Sequence, residues 1–296
     1  MQGRTTDGDT IGFHCTACGK CCNSAPAMSM PELLRHRGRF IGSLAVGRVR
    51  SGAAAATEAA AELAALQDAI FHRDGDRPGA GHVSLVTQAF DYPSLARCPA
   101  LGADGGCGVH GPDKPAMCRV VPLDPYLSDS LQAGVLLERR ASGPYLDARA
   151  GTSCIAAPGP DALAAPYRPL VMARRVAAPD YAADLARRRA DLVDDKARWG
   201  NAVFRMLRGE LARTPAAHAG GYRVLPLVPV LAVLAAESPT MRAECVDYID
   251  AQLALIETEV GAALARRRPE DRTATAELRG FAAAYARQRP LLANWA

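Results

Sequence analysis

Four of the nine cysteines in this chain fall in one short stretch, Phe13 to Asn23, as Cys15, Cys18, Cys21 and Cys22. Two consecutive Cys-x-x-Cys steps let three thiolates turn back onto one centre, a spacing used by zinc and iron–sulfur sites alike. Gly19 suits the turn, because glycine takes positive φ and lets backbone N–H groups approach sulfur. Cys21 and Cys22 add a constraint. Adjacent side chains of an extended segment point to opposite sides, so one mononuclear ion would not readily take both. A cluster, or two neighbouring metal sites, accommodates them better. Four more cysteines stand in loop-forming contexts: Cys98 before Pro99, Cys107 after Gly106, Cys118 after Pro115, and Cys154. Cys15, Cys18, Cys21, Cys22, Cys98, Cys107, Cys118 and Cys154 are therefore the expected metal ligands, with Cys22 grouped among the later four. Cys245 differs: it shares a helical stripe with Met241, Tyr248 and Ile249, and reads as a packing residue.

Thiolates around either zinc or a [4Fe–4S] core leave net negative charge, which Lys20, Arg97, Lys114 and Arg119 are close enough in sequence to offset. Zinc ribbons usually carry two separated Cys-x-x-Cys knuckles, and one is present here. Iron or an iron–sulfur cluster, with [4Fe–4S] the leading form, is therefore the expected cofactor, and zinc the alternative. His14 and His110 flank cluster cysteines and are candidate supporting or replacement ligands.

The same residues resemble the CxxCxxCC family, cysteine-cluster proteins with a zinc- or iron-chelating domain. The matching positions are Phe13, Cys15, Cys18, Gly19, Cys21 and Cys22, then Cys98-Pro99 with Leu101, Cys107 with His110, and Pro115 with Cys118-Arg119 and Pro122. Two positions depart from the family pattern. Gly108-Val109-His110 replaces its usual aromatic-containing pair, and Lys114 stands where an arginine is usual. The resemblance covers residues 13 to about 155 and implies metal binding without implying a reaction. Flagellin lysine methylases carry a similar cluster, so it also admits a metal-dependent peptide- or protein-modifying enzyme.

These residues must be held by something. The chain has 296 residues, 49% hydrophobic and only 5% aromatic, enough to bury a substantial core. Ser29 and Glu32 fit a capping box opening a short helix. Residues 53–72 read as a helix through Leu63, Leu66 and Ile70, and 83–88 as a strand. Residues 40–49 carry no assignable pattern. The Cys98–Pro125 segment is rich in Gly and Pro, with Gly102–Gly106 a turn, and would need a metal to order it. Leu131–Arg139 reads as a strand. Asp180–Leu211 is a long helical pattern interrupted near Trp199-Gly200, and Ser238-Pro239 caps a helix whose stripe includes Cys245, Tyr248 and Ile256. A last helix covers 275–288, with Leu278, Phe281 and Tyr285 inward. The expected fold is mainly α with little β: an irregular, metal-knotted cysteine-rich region over 1–165 packed on a helical region over 166–296, or one continuous domain.

The expected function is that of a cytoplasmic protein with an eight-cysteine metal site, structural or redox in role. A zinc-stabilised protein-interaction module is a further alternative. The N-terminus has no apolar leader and no 18-residue apolar run occurs, so no membrane partner is expected. A reducing compartment makes a disulfide framework a poor reading of the cysteines. The metal ion or cluster is the expected partner, with a protein or peptide as another. The net charge of +4 is modest, and Arg187–Arg189 and Arg266–Arg268 read as solvated helix faces, not nucleic-acid contacts. Nucleotide-loop, zincin and serine-hydrolase signatures are missing, so no catalytic residue is assigned.

Overall fold

The computed structural model describes residues 10–15, 19, 21–49, 57–75, 81–141, 146–147, 152–213 and 222–294. Packing divides the chain into two compact units that interleave along the sequence. The first comprises Met1–Asn23, Gly52–Ala69 and Ala100–Ala190; the second Ser24–Ser51, Ile70–Pro99 and Asp191–Ala296.

The first unit is built on a four-stranded antiparallel sheet in the order Ile155–Ala156, Ile11–Phe13, Arg168–Met172, Arg175–Val176. Ile11 and Phe13 join Leu170, Val171, Ile155 and Leu136 in its apolar core. Phe13 meets the ring of Tyr181 edge-on, with centroids 5.9 Å apart. Gly12 lies under a short turn, where an added Cβ would stand 2.6 Å from the Ala162 carbonyl oxygen.

Residues expected as a strand over 131–139 form the helix Asp129–Arg140. Gln132 and Leu136, one turn apart, are its buried positions, with Asp129 in the first turn and Arg139 and Arg140 in the last, as the helix dipole favours. Gln132 also closes the preceding loop. Its Oε1 accepts from the Asp124 N–H (2.9 Å), while Nε2 donates to the carbonyls of Asp124 (2.7 Å) and Leu127 (3.1 Å). The arginines 187–189 are not uniformly solvated either. Arg188 is 1% exposed on the inward stripe of the helix Pro179–Asp195, shared with Tyr181 and Leu185. Arg189 pairs with Asp129 at 2.8 Å.

The second unit holds the other four-stranded antiparallel sheet, in the order Tyr222–Leu225, Ile41–Val49, His82–Phe90, His72–Arg73. Ile41 faces Phe90 and Val49 faces His82, an unbroken register. The long helices Pro239–Arg266 and Arg272–Ala293 bury Tyr248, Ile249, Leu278, Phe281 and Tyr285. Ser238 caps the first of them, its hydroxyl accepting from the Met241 N–H at 3.1 Å. Gln252, fully buried, accepts from the Gly42 N–H (2.8 Å) and donates to the carbonyls of Arg37 (2.8 Å) and Phe40 (3.1 Å). With two four-stranded sheets among the described residues, the fold is mixed α/β, which corrects the expectation of a mainly α chain with little β. No helix among the described residues is long and apolar enough to cross a membrane.

The interruption expected near Trp199 is a π-helical segment, Lys196–Gly200, between the helices Pro179–Asp195 and Asn201–Arg213. It makes room for His72: a Cβ on Gly200 would stand 3.1 Å from the imidazole Nε2. His72 is buried and stacks on Phe204, with centroids 4.8 Å apart. Burial, helped by the charge of Lys196, lowers its pKa to about 4 from an ordinary 6.5. The unfolded chain therefore takes up this proton before the folded chain does. Stability is full above pH 6.5 and declines as pH falls toward 4. Denaturant midpoints measured across that window should fall more steeply for the native chain than for His72→Phe. Parallel profiles would refute the assignment.

Candidate functional site

Cys21 and Cys22 occupy a turn, not an extended strand. The Cys22 N–H donates to the Gly19 carbonyl at 2.9 Å, and Gly19 has φ +71°. This turn is seated on a second one. An added Cβ on Gly19 would lie 3.3 Å from the Leu101 methyls and 3.4 Å from the Gly105 carbonyl oxygen. Leu101 bridges to Cys107, and the Gly102 N–H donates to the Gly106 carbonyl at 2.8 Å, so Gly102–Gly106 is the expected turn. A side-chain hydrogen bond from Cys21 is the largest influence on the Cys22 thiol.

That hydrogen bond is the main reason the Cys22 thiol is acidified, to a pKa of about 6. Partial burial opposes the shift, and the Lys114 ammonium adds to it. Both cysteines are half-buried, so the pair is within reach of solvent. Lys114 sits in a turn closed by its own N–H on the Gly111 carbonyl, at 3.2 Å. Arg119, on the short helix Ala116–Val120, ties that turn down. Its Nη2 donates to the carbonyls of Gly111 and Pro112, both at 2.8 Å, and its Nε to that of Lys114 at 3.1 Å.

The remaining expected ligands are distributed. Cys15 is exposed, within charge reach of Tyr181. The Cys154 carbonyl accepts from the His14 N–H at 2.8 Å, and Cys118 lies on the same short helix as Arg119. His110 is exposed in the turn after Cys107. Cys98 is buried and belongs to the second unit. Cys18 and Lys20 lie outside the described residues. Cys245 is fully buried on its helix, and burial pushes its thiol up to about 11, as befits a packing residue.

Among the described residues, no group of three or more His, Cys, Asp or Glu side chains is placed to hold a metal ion. This corrects the expected eight-cysteine iron, iron–sulfur or zinc site, and with it the metal as cofactor and partner. The physical reason lies in the local backbone: Gly19 to Cys22 form a turn, so the regular sequence spacing does not by itself bring these thiols onto one centre. Two contributors to the thiol pair carry a weaker sequence signal. Lys114 and Arg119 are legible as cations near cysteines, but nothing in the sequence shows that one holds the other. The chain matches no family model, no curated protein and no solved structure, and the resemblance to the CxxCxxCC family is not upheld.

Proposed function

We propose that the first unit carries a reactive thiolate, Cys22, that performs thiol–disulfide exchange with small disulfides. What supports this reading is the half-buried Cys21–Cys22 pair on the Gly19–Cys22 turn, with the Cys22 thiol acidified mainly by the Cys21 hydrogen bond and less by the Lys114 charge. The Cys22 thiolate attacks one sulfur of R–S–S–R′, a new S–S bond forms to R, and R′–S⁻ departs and takes a proton from water. Closing a Cys21–Cys22 disulfide is disfavoured. Neighbouring Cα atoms are ~3.8 Å apart across a trans peptide, whereas disulfides usually span ~4.4–6.8 Å. The mixed disulfide is instead resolved by an external small thiol, which attacks the R sulfur and releases Cys22. A reducing, cytoplasmic setting supplies such thiols.

Residue-resolved alkylation followed by mass spectrometry tests this. A low-pKa thiolate is less nucleophilic per molecule, which offsets part of its larger population. The net advantage over an ordinary exposed thiol at pH 6.5 is on the order of tenfold. Cys22 should be modified with a midpoint near pH 6, and Cys245 should stay unmodified in the folded protein. A Cys22 midpoint between pH 8 and 9, or no modification while other thiols react, would overturn the reading.

A further inference from the structure

We propose that the buried guanidinium of Arg188 anchors a binding site for a small, singly charged carboxylate, in the first unit where the helix Pro179–Asp195 meets the segment 124–129. This site is separate from the thiol pair and does not rest on the exchange reading.

Arg188 is 1% exposed, and its neighbours along the inward stripe, Leu185 and Leu192, are buried with it. Two of its nitrogens, Nε and Nη1, are buried without a hydrogen-bond partner. Arg188 otherwise shares a side-chain hydrogen bond with Tyr126. A buried lysine can escape such a position by losing its proton, but an arginine keeps its charge, so the cost of withdrawing it from water stands until an anion meets it. The two other arginines that engage the same segment are already matched. Arg189 pairs with Asp129 at 2.8 Å and Arg139 with Asp124 at 3.2 Å. The Oδ1 of Asp124 also accepts from the Tyr126 N–H at 2.9 Å. Asp180, at the start of the helix that carries Arg188, pairs with Arg168 at 2.9 Å. Among the described residues no carboxylate pairs with Arg188. Three guanidinium groups on this segment thus face two carboxylates, and the uncancelled charge sits on the one that water does not reach. A monoanion cancels that charge, whereas a phosphate dianion would leave an excess of the opposite sign in the same buried place. A carboxylate also brings oxygens that accept strongly from guanidinium donors. Formate and acetate have the required charge and the small size.

Equilibrium dialysis of the full chain against radiolabelled formate or acetate, at fixed ionic strength in a carboxylate-free buffer, tests this. The native chain should take up one saturable equivalent, with inorganic phosphate a poor competitor. Arg188→Met removes the charge while filling a similar volume, and the folded variant should bind neither anion. Arg188→Lys keeps the charge but offers fewer donors and should weaken binding about tenfold. If Arg188→Met does not fold, Arg188→Lys carries the comparison. A native chain with no saturable uptake overturns the inference, because the buried donors then need nothing beyond solvent. Undiminished uptake by folded Arg188→Met or Arg188→Lys overturns it as well, since the anion is then held elsewhere. Phosphate that displaces formate at equal concentration overturns the assignment of a singly charged carboxylate.

Discussion

Gly42→Ala should destabilise the second unit by about 3 kcal/mol or more, in the upper range for overpacked cores. Gly42 lies on the central strand Ile41–Val49, and an added Cβ would stand 2.0 Å from the Tyr248 hydroxyl oxygen and 2.7 Å from a Leu227 methyl. Both residues are fully buried, so neither can swing aside into solvent. The backbone cannot retreat easily. The Gly42 N–H is committed to Gln252 at 2.8 Å, and its carbonyl accepts from the Tyr285 hydroxyl at 3.4 Å. Moving the strand would loosen those bonds as well, each buried group left unpaired costing about 1–3 kcal/mol. The Tyr248→Phe change removes the nearer obstacle and should recover part of the loss when combined with Gly42→Ala, while the Leu227 contact keeps the rescue incomplete. Urea denaturation of the four proteins in this cycle measures it. A Gly42→Ala chain within about 0.5 kcal/mol of the native one, or a double variant no better than the single, would refute the close packing.

Cys21→Ala should move the titration midpoint of Cys22 upward from about 6 by more than any charge change at Lys114, because the Cys21 hydrogen bond is the largest contribution to the acidity. Removing it leaves burial, which opposes the thiolate, and Lys114 alone to favour it. Cys21→Ser keeps an O–H donor in the same place and should retain most of the depression. The two variants thus separate a donor from a mere neighbour. The pH dependence of Cys22 alkylation, or thiolate absorbance, reads the midpoint. Equal midpoints for the alanine and serine variants would show that the donor is not the cause.

What the sequence disclosed was whatever depends on local pattern. The Ser29–Glu32 capping box forms, with the Ser29 N–H on Glu32 Oε2 at 2.8 Å. The strand expected over 83–88 lies within His82–Phe90, and Leu278, Phe281 and Tyr285 face inward as their spacing requires. The strand Ile41–Val49 was illegible because six successive residues from Ile41 to Val46 are buried, so the two-residue alternation that marks a half-exposed strand is lost. Residues 129–140 misled for a related reason: the buried Gln132 is a polar residue on an inward face, and only its bonds to the Asp124 loop explain it. At the site, the cysteines were conspicuous but their relation was not. Where adjacent thiols go depends on backbone dihedrals, which residue identity does not display. Arg119 acts on carbonyl oxygens, which every residue possesses, so no residue type marks its targets.

The interleaving of the two units has a consequence for the order of events during synthesis. The thiol pair is made early, but Lys114 follows Cys22 by 92 residues, and the Leu101–Gly105 turn on which Gly19 rests comes only shortly before it. At ~5–20 residues per second the nascent chain spends roughly 5–20 s with both thiols synthesised and neither support available. Through that interval Cys22 lacks the Lys114 share of its acidity, and the turn at Gly19 lacks the Leu101–Gly105 segment on which it rests. On the exchange reading, Cys22 reaches its full acidity only after the segment through Lys114 has been made.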